Sequence, residues 1–90
     1  MMFGEVAWDE ASEAHVARHS VTPDEVEDVL FCRPRLVQIG PHDTTYVLGT
    51  TLAGRYLFAV VTAAGRGGVY VVTAREMTDA ERRRFRRRAR

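Results

Sequence analysis

Ninety residues carry 13 Arg, no Lys and 12 Asp or Glu, so the formal net charge is only +1. The lone cysteine, Cys32, excludes an internal disulfide and fits a reducing compartment. No apolar run approaches the ~20 residues that span a bilayer and no signal-peptide pattern opens the chain. The expectation is therefore one cytoplasmic domain over residues 1–90, with a modest core and no membrane partner.

Glu5-Val-Ala-Trp8 reads as a short first strand, and Asp9 is placed to cap a helix from about Glu10 to His19. Thr22-Pro-Asp-Glu25 is a second helix start. Thr is the N-cap, Pro the first helical residue, and Glu closes a capping box. This helix sets Val26, Val29 and Leu30 on one face and Asp24, Glu25, Glu27 and Asp28 largely on the other, and it ends before Pro34. The period then shortens to that of a strand at Leu36–Ile39, turns through Gly40–Asp43 and resumes from Thr45 to Thr51. A turn at Ala53-Gly54 leads into Arg55–Ala63, which is apolar on both faces and so predicted to be central in the sheet. Gly65–Gly68 turns into a buried strand, Val69–Ala74. No Lys-Ser/Thr follows these glycines, so they form a hairpin turn and not a phosphate loop. Thr78-Asp-Ala-Glu81 repeats the capping box and opens a last helix.

The predicted order is β-α-α-β-β-β-β-α. Tight turns between the late strands imply a mainly antiparallel sheet of four to five strands. Helices on one face would complete a two-layer α+β fold. The opposite face is then open to a ligand, an oligomer contact or a partner chain.

Charge is segregated along the sequence. Residues 1–30 hold eight acids and one Arg, a net −7, and residues 31–90 hold twelve Arg and four acids, a net +8. Seven arginines fall in the last nine residues. So dense a one-sign cluster repels itself unless a polyanion or an acidic partner answers it. The absence of Lys has two readings: selection for guanidinium forks that grip phosphate, or the codon bias of a GC-rich genome.

Three constellations carry candidate chemistry. His15, Arg18 and His19 are spaced to share one turn of the first helix, where an imidazole near neutrality suits proton transfer. No third Cys or carboxylate stands at a ligand spacing, so no metal or cofactor is expected. A surface helix with an incidental His pair is the bland alternative. Arg75-Glu76 ends the last strand, where a rigid guanidinium would clamp a phosphate or pair with an acid of helix 1 or 2. Arg82, Arg83, Arg86 and Arg90 fall near one side of the last helix as a phosphate-tracking stripe, or else as a solvated face. Arg55, Tyr56 and Tyr70 lie on the central strands, as base-stacking residues or as core. Cys32 is most simply a small buried hydrophobe.

Four segments together resemble the BrnT-like family of bacterial type II toxins. They are Val6-Ala-Trp-Asp-Glu10, His15-Val-Ala-Arg-His-Ser-Val-Thr-Pro-Asp-Glu-Val26, Val29-Leu-Phe31 and Thr73-Ala-Arg-Glu-Met-Thr-Asp-Ala-Glu-Arg-Arg-Arg-Phe85. They occur in the family's order: a Trp-Asp opening, a Lys-His-Gly-Val segment, an acidic helix ending in Val-Phe, a Ser-Ala-Arg strand end and a Glu-Arg-Arg helix. The resemblance implies a RelE-like fold and a ribonuclease toxin that cleaves RNA without metal. It also implies neutralisation by a DNA-binding antitoxin of ribbon-helix-helix character, in a homodimer or a toxin–antitoxin heterotetramer. The candidates it marks are Arg18 and His19 at the Lys-His positions, Arg75 at the strand end, and Glu81, Arg82 and Arg83 at Glu-Arg-Arg. Proton transfer is expected of His15 or His19, with Arg75-Glu76 at the scissile phosphate. Arg18, Arg55, Arg82, Arg83 and Arg86 are expected to bind RNA. Ser20 replaces the family's Gly, Arg18 its Lys, and Phe85 a Tyr whose hydroxyl could help proton transfer. The alternative function is a non-catalytic basic module that binds nucleic acid or an acidic protein. A third is a structural dimer joined through the open sheet face.

Overall fold

The computed structural model describes residues 3–90. The elements are β1 (Val6–Ala7), α1 (Glu10–Ala17), α2 (Pro23–Phe31), β2 (Arg35–Ile39), β3 (Thr44–Thr50), β4 (Tyr56–Ala63), β5 (Val69–Glu76) and α3 (Asp79–Arg88). Strands β2 to β5 form an antiparallel meander, and β1 joins β5 in parallel, giving a mixed sheet ordered β1-β5-β4-β3-β2. The middle strand is β4. Its pattern places Leu57, Ala59 and Val61 in one core and Phe58 and Val60 in the other.

All three helices start with reciprocal caps. Asp9 exchanges bonds with Ser12, Thr22 with Glu25, and Thr78 with Glu81, each satisfying donors that a helix start leaves orphaned. The first helix is shorter than expected. Val21 N–H bonds the Val16 carbonyl at 3.1 Å and Ser20 N–H bonds Ala17 at 3.0 Å, with Ser20 in the left-handed region at φ 58°. That pairing is a Schellman stop, with Val21 and Val16 buried together beneath it. His19 therefore lies in the turn and not on a helical face with His15.

Two cores sit on opposite faces of the sheet. Val16, Val21, Val26, Val29 and Leu30 of the α1–α2 unit pack on Val47, Leu57, Ala59, Val61 and Val71. Leu48, Phe58, Met77 and Phe85 form the second cluster, with Leu36, Tyr46, Tyr56 and Val60 against it. Each fully buried aliphatic side chain contributes about 1.5–3 kcal/mol. The expectation that helices cover only one face is thus corrected. Strand alternation turns Leu48 and Phe58 away from α1 and α2, and α3 covers them through Phe85, which is 5 % exposed. The α2 backbone approaches β3 so closely at Gly49 that an added Cβ would lie 3.2 Å from Val29 Cγ1 and 3.3 Å from Val29 O.

Two further details position the candidate site. Between Val60 and Val61 the β4–β5 register slips, so Val72 has no cross-strand partner, and His15 Nδ1 donates to its carbonyl at 3.1 Å. The arginine-rich end pairs with the sheet. After α3 the chain turns extended at Ala89, and Arg90 exchanges two backbone bonds with Arg35 of edge strand β2, at 3.0 and 3.1 Å. No helix among the described residues is long and apolar enough to cross a membrane.

Candidate nucleic-acid interface

The α1–α2 turn, the β3–β4 turn, the end of β5 and the start of α3 meet at one end of the sheet. Arg55 links them. Its Nη1 donates to the Ser20 carbonyl at 2.7 Å and to Glu25 Oε1 at 3.0 Å, and its Nε lies 3.5 Å from Glu76 Oε2. The bonds it donates to Glu25 come first in holding the Arg55 guanidinium above its usual range. Burial opposes ionisation of Glu25, but the Thr22 N–H and Arg55 outweigh it and hold the carboxyl below 4.5. Arg55 is therefore committed to two carboxylates, Glu25 of α2 and Glu76 at the end of β5.

Arg75 is held more tightly. Nη1 and Nη2 take Glu81 Oε1 and Oε2 at 2.8 and 3.0 Å, Nη1 also reaches the Glu76 carbonyl, and the guanidinium stacks 4.3 Å from the Phe58 ring. Glu81 simultaneously accepts the Thr78 N–H. The Arg75 bond is the main reason its carboxyl titrates below the ordinary 4.5. The partner of Arg75 is thus the N3 residue of α3 itself, six residues on, and not an acid of helix 1 or 2.

Beside these forks lies an open depression of about 320 Å³, lined by Gly54, Arg55, Tyr56, Glu76, Met77 and Arg82. The Tyr56 ring meets Phe85 edge-on, with centroids 5.8 Å apart, while the guanidinium carbons of Arg82 and Arg86 lie 4.3 and 5.5 Å from its centroid. Hydrogen bonding from Arg86 and the charges of Arg86 and Arg82 lower the phenol's pKa. The Glu76 carboxylate is 67 % exposed at the rim. The Glu76 carboxylate, the Tyr56 phenol and the guanidiniums of Arg55 and Arg82 thus border one open space, a set able to hold a phosphate and move protons around it.

The expected site residues divide accordingly. Arg55, Glu76 and Arg82 line the depression, and Arg86 stands over Tyr56. Arg83 is exposed on α3, and Arg18 and His19 are exposed at the α1 terminus, next to the Ser20 carbonyl that Arg55 holds. His15 is tied to Val72 on the α1–β5 side. The expected face of Arg55, Tyr56 and Tyr70 is broken up. Arg55 turns to α2, Tyr56 to α3, and the Tyr70 hydroxyl donates to Asp9 at 2.9 Å beyond the bulge. Arg90 leaves the stripe for β2. Cys32 is partly buried at the end of α2, where full burial was expected. Among the described residues no three His, Cys, Asp or Glu side chains gather as a metal site.

What the sequence reading undervalued is Tyr56. Its signal was partial: Arg82 and Arg86 fall to one side of Phe85 on the helix, so an aromatic that packs on Phe85 lies beside two guanidiniums, but the spacing does not say which aromatic that is. No protein-family model, curated protein or solved structure matches the chain.

Proposed function

We propose that the chain is a BrnT-like ribonuclease toxin with a RelE-like arrangement, binding single-stranded RNA across α3 and cleaving it without a metal. The supporting observation is the Arg82–Tyr56–Arg86 stack beside the exposed Glu76. In the proposed step a ribose 2′-oxygen attacks the neighbouring phosphorus as the bond to the 5′-oxygen breaks, leaving a 2′,3′-cyclic phosphate and a 5′-hydroxyl. Glu76 takes the 2′-hydroxyl proton, Tyr56 gives its proton to the departing 5′-oxygen, and water returns the proton from Glu76 to Tyr56. Arg82 and Arg86 offset the charge that builds on the phosphoryl oxygens. Arg55 orients Glu76, and Arg75 positions α3 rather than touching phosphate. Tyr56 then supplies the hydroxyl that Phe85 lacks.

A second reading, RNA binding without turnover, draws on a different observation: Arg55 and Arg75 are both neutralised by carboxylates, and His15 stands apart from His19. Induced expression in growing cells, with RNA integrity followed on gels, separates the two. Growth arrest with RNA fragments ending in cyclic phosphate is the expected result. RNA that is bound but stays intact leaves only the binding reading, and protein that neither arrests growth nor binds RNA rejects both. A ribbon-helix-helix antitoxin is the proposed natural antagonist, competing for the same arginines.

A further inference from the structure

A second basic depression, of about 290 Å³, lies where the end of α3 meets edge strand β2, lined by Arg33, Arg35, Leu36, Val37, Arg88 and Arg90. Four of its six lining residues are arginines and none is acidic. Arg33, Arg88 and Arg90 are exposed and make no ion pair with a carboxylate among the described residues. Arg35 has a structural role: its guanidinium bonds the Leu30 carbonyl and lies 5.1 Å from the Phe3 ring. The reciprocal backbone bonds between Arg35 and Arg90 fix the latter beside β2, so the cluster is held by the fold and not by a loose terminus. Same-sign charges held this close repel one another until an anion enters.

We propose that this depression is a second phosphate site, which grips the backbone of a single-stranded RNA whose reacting nucleotide lies at Tyr56. The inference rests on the RNA reading above. Two features favour RNA over an acidic protein segment. An aromatic ring between guanidiniums already stands at the other end of the track, suited to a base. The two depressions are joined: at about 100° per residue, Arg82 and Arg86 flank Phe85 on one side, Arg84 and Arg88 on the other, and Arg83 and Arg87 face outward. The RNA would cross the outer face of α3, and Leu36 and Val37 would form an apolar floor for ribose carbons.

The test is binding of fluorescein-labelled oligouridylates of about 4 and about 12 nucleotides, lengths that bracket short and long single-strand sites. Affinities are compared between wild type, Arg33→Gln/Arg88→Gln and the charge-preserving Arg33→Lys/Arg88→Lys. Wild type should hold the long oligomer more tightly. The Gln pair should lose about tenfold on the long oligomer, with a salt slope shallower by about 1.4 from two lost phosphate contacts. The short oligomer should bind all three proteins alike, and the Lys pair should keep the wild-type slope. If the Gln pair holds the long oligomer as wild type does, the second site is overturned while the RNA reading stands. If wild type binds neither oligomer, the RNA reading itself fails and the site falls with it. Capture of polyglutamate through Arg33 and Arg88 without any RNA binding would overturn the assignment in favour of an acidic protein.

Discussion

Arg75 and Glu81 face each other as two matched forks, at 2.8 and 3.0 Å, with the arginine on the last residues of β5 and the glutamate in the first turn of α3. The pair sets the angle at which the arginine helix leaves the sheet. Arg75→Ala should cost about 1–2 kcal/mol, a figure lowered for the guanidinium's partial exposure. In a domain this size that is a fall in Tm of roughly 5–15 °C. Arg75→Lys keeps charge but not the fork and should lie between. Thermal melts decide it, and an unchanged Tm for Arg75→Ala would remove the fork from the stabilising contacts.

Acid should weaken the fold through the same carboxylates. Glu81 and Glu25 are both held below their ordinary 4.5 when folded. Their contribution is complete above that value and disappears as pH falls through the lowered folded values. Urea midpoints should therefore be flat above about pH 5 and decline below about pH 4.5. Arg75→Ala should show a shallower decline, since its Glu81 has less to lose. Parallel curves for the two proteins would refute the coupling.

Ser20 occupies a backbone conformation that glycine adopts without cost, φ 58° at the stop of α1. Ser20→Gly should leave the fold intact and stabilise it by up to about 1 kcal/mol, whereas Ser20→Val should destabilise it by about 1–2 kcal/mol. Denaturant titration of the three proteins gives the ranking directly.

At Gly49 the effect of a methyl is steric. A Cβ there would press on Val29 at 3.2–3.3 Å, and part of that contact is backbone, which cannot rotate away. Gly49→Ala should cost about 1–3 kcal/mol, although alanine has the better strand propensity. Equal stability would mean that α2 slides off β3 freely.

Tyr56 separates stacking from proton transfer. Tyr56→Phe keeps the ring under Arg82 and Arg86 and should bind RNA as wild type while cleaving it at least ~100-fold more slowly. Tyr56→Ala should also lose about 1–3 kcal/mol of binding. Full cleavage by Tyr56→Phe would move the general-acid role to another residue.

Local chemistry was legible in the sequence. The Thr22–Glu25 and Thr78–Glu81 boxes mark α2 and α3 because a cap needs only neighbours in the chain, and the two-sided apolar pattern of β4 marks a central strand. Non-local choices were not. The residue types near His19 do not announce that Ser20 will turn left-handed and end the helix early, and the glycine that the resemblance puts at this position is the one hint of it. The covered second face depends on which way Leu48, Phe58 and Phe85 point, a parity fixed only when α3 docks. The candidate site divides similarly. The arginines were evident from composition, but their partners were not. Glu25 and Glu81 first read as cap residues, and each also accepts from an arginine, Arg55 just before β4 and Arg75 on β5.

Those two glutamate–arginine pairs are chemically alike and topologically unlike. Glu81 meets an arginine 6 residues away, and Glu25 one 30 residues away. Loop-closure entropy grows with the logarithm of the span, so the longer closure costs about 1.4 kcal/mol more. The β5–α3 corner can therefore assemble as a local unit, while the tie between α2 and Arg55 must wait until the β2–β3 hairpin between them has formed. A destabilising change at Arg75 should then slow folding, and one at Arg55 should chiefly speed unfolding.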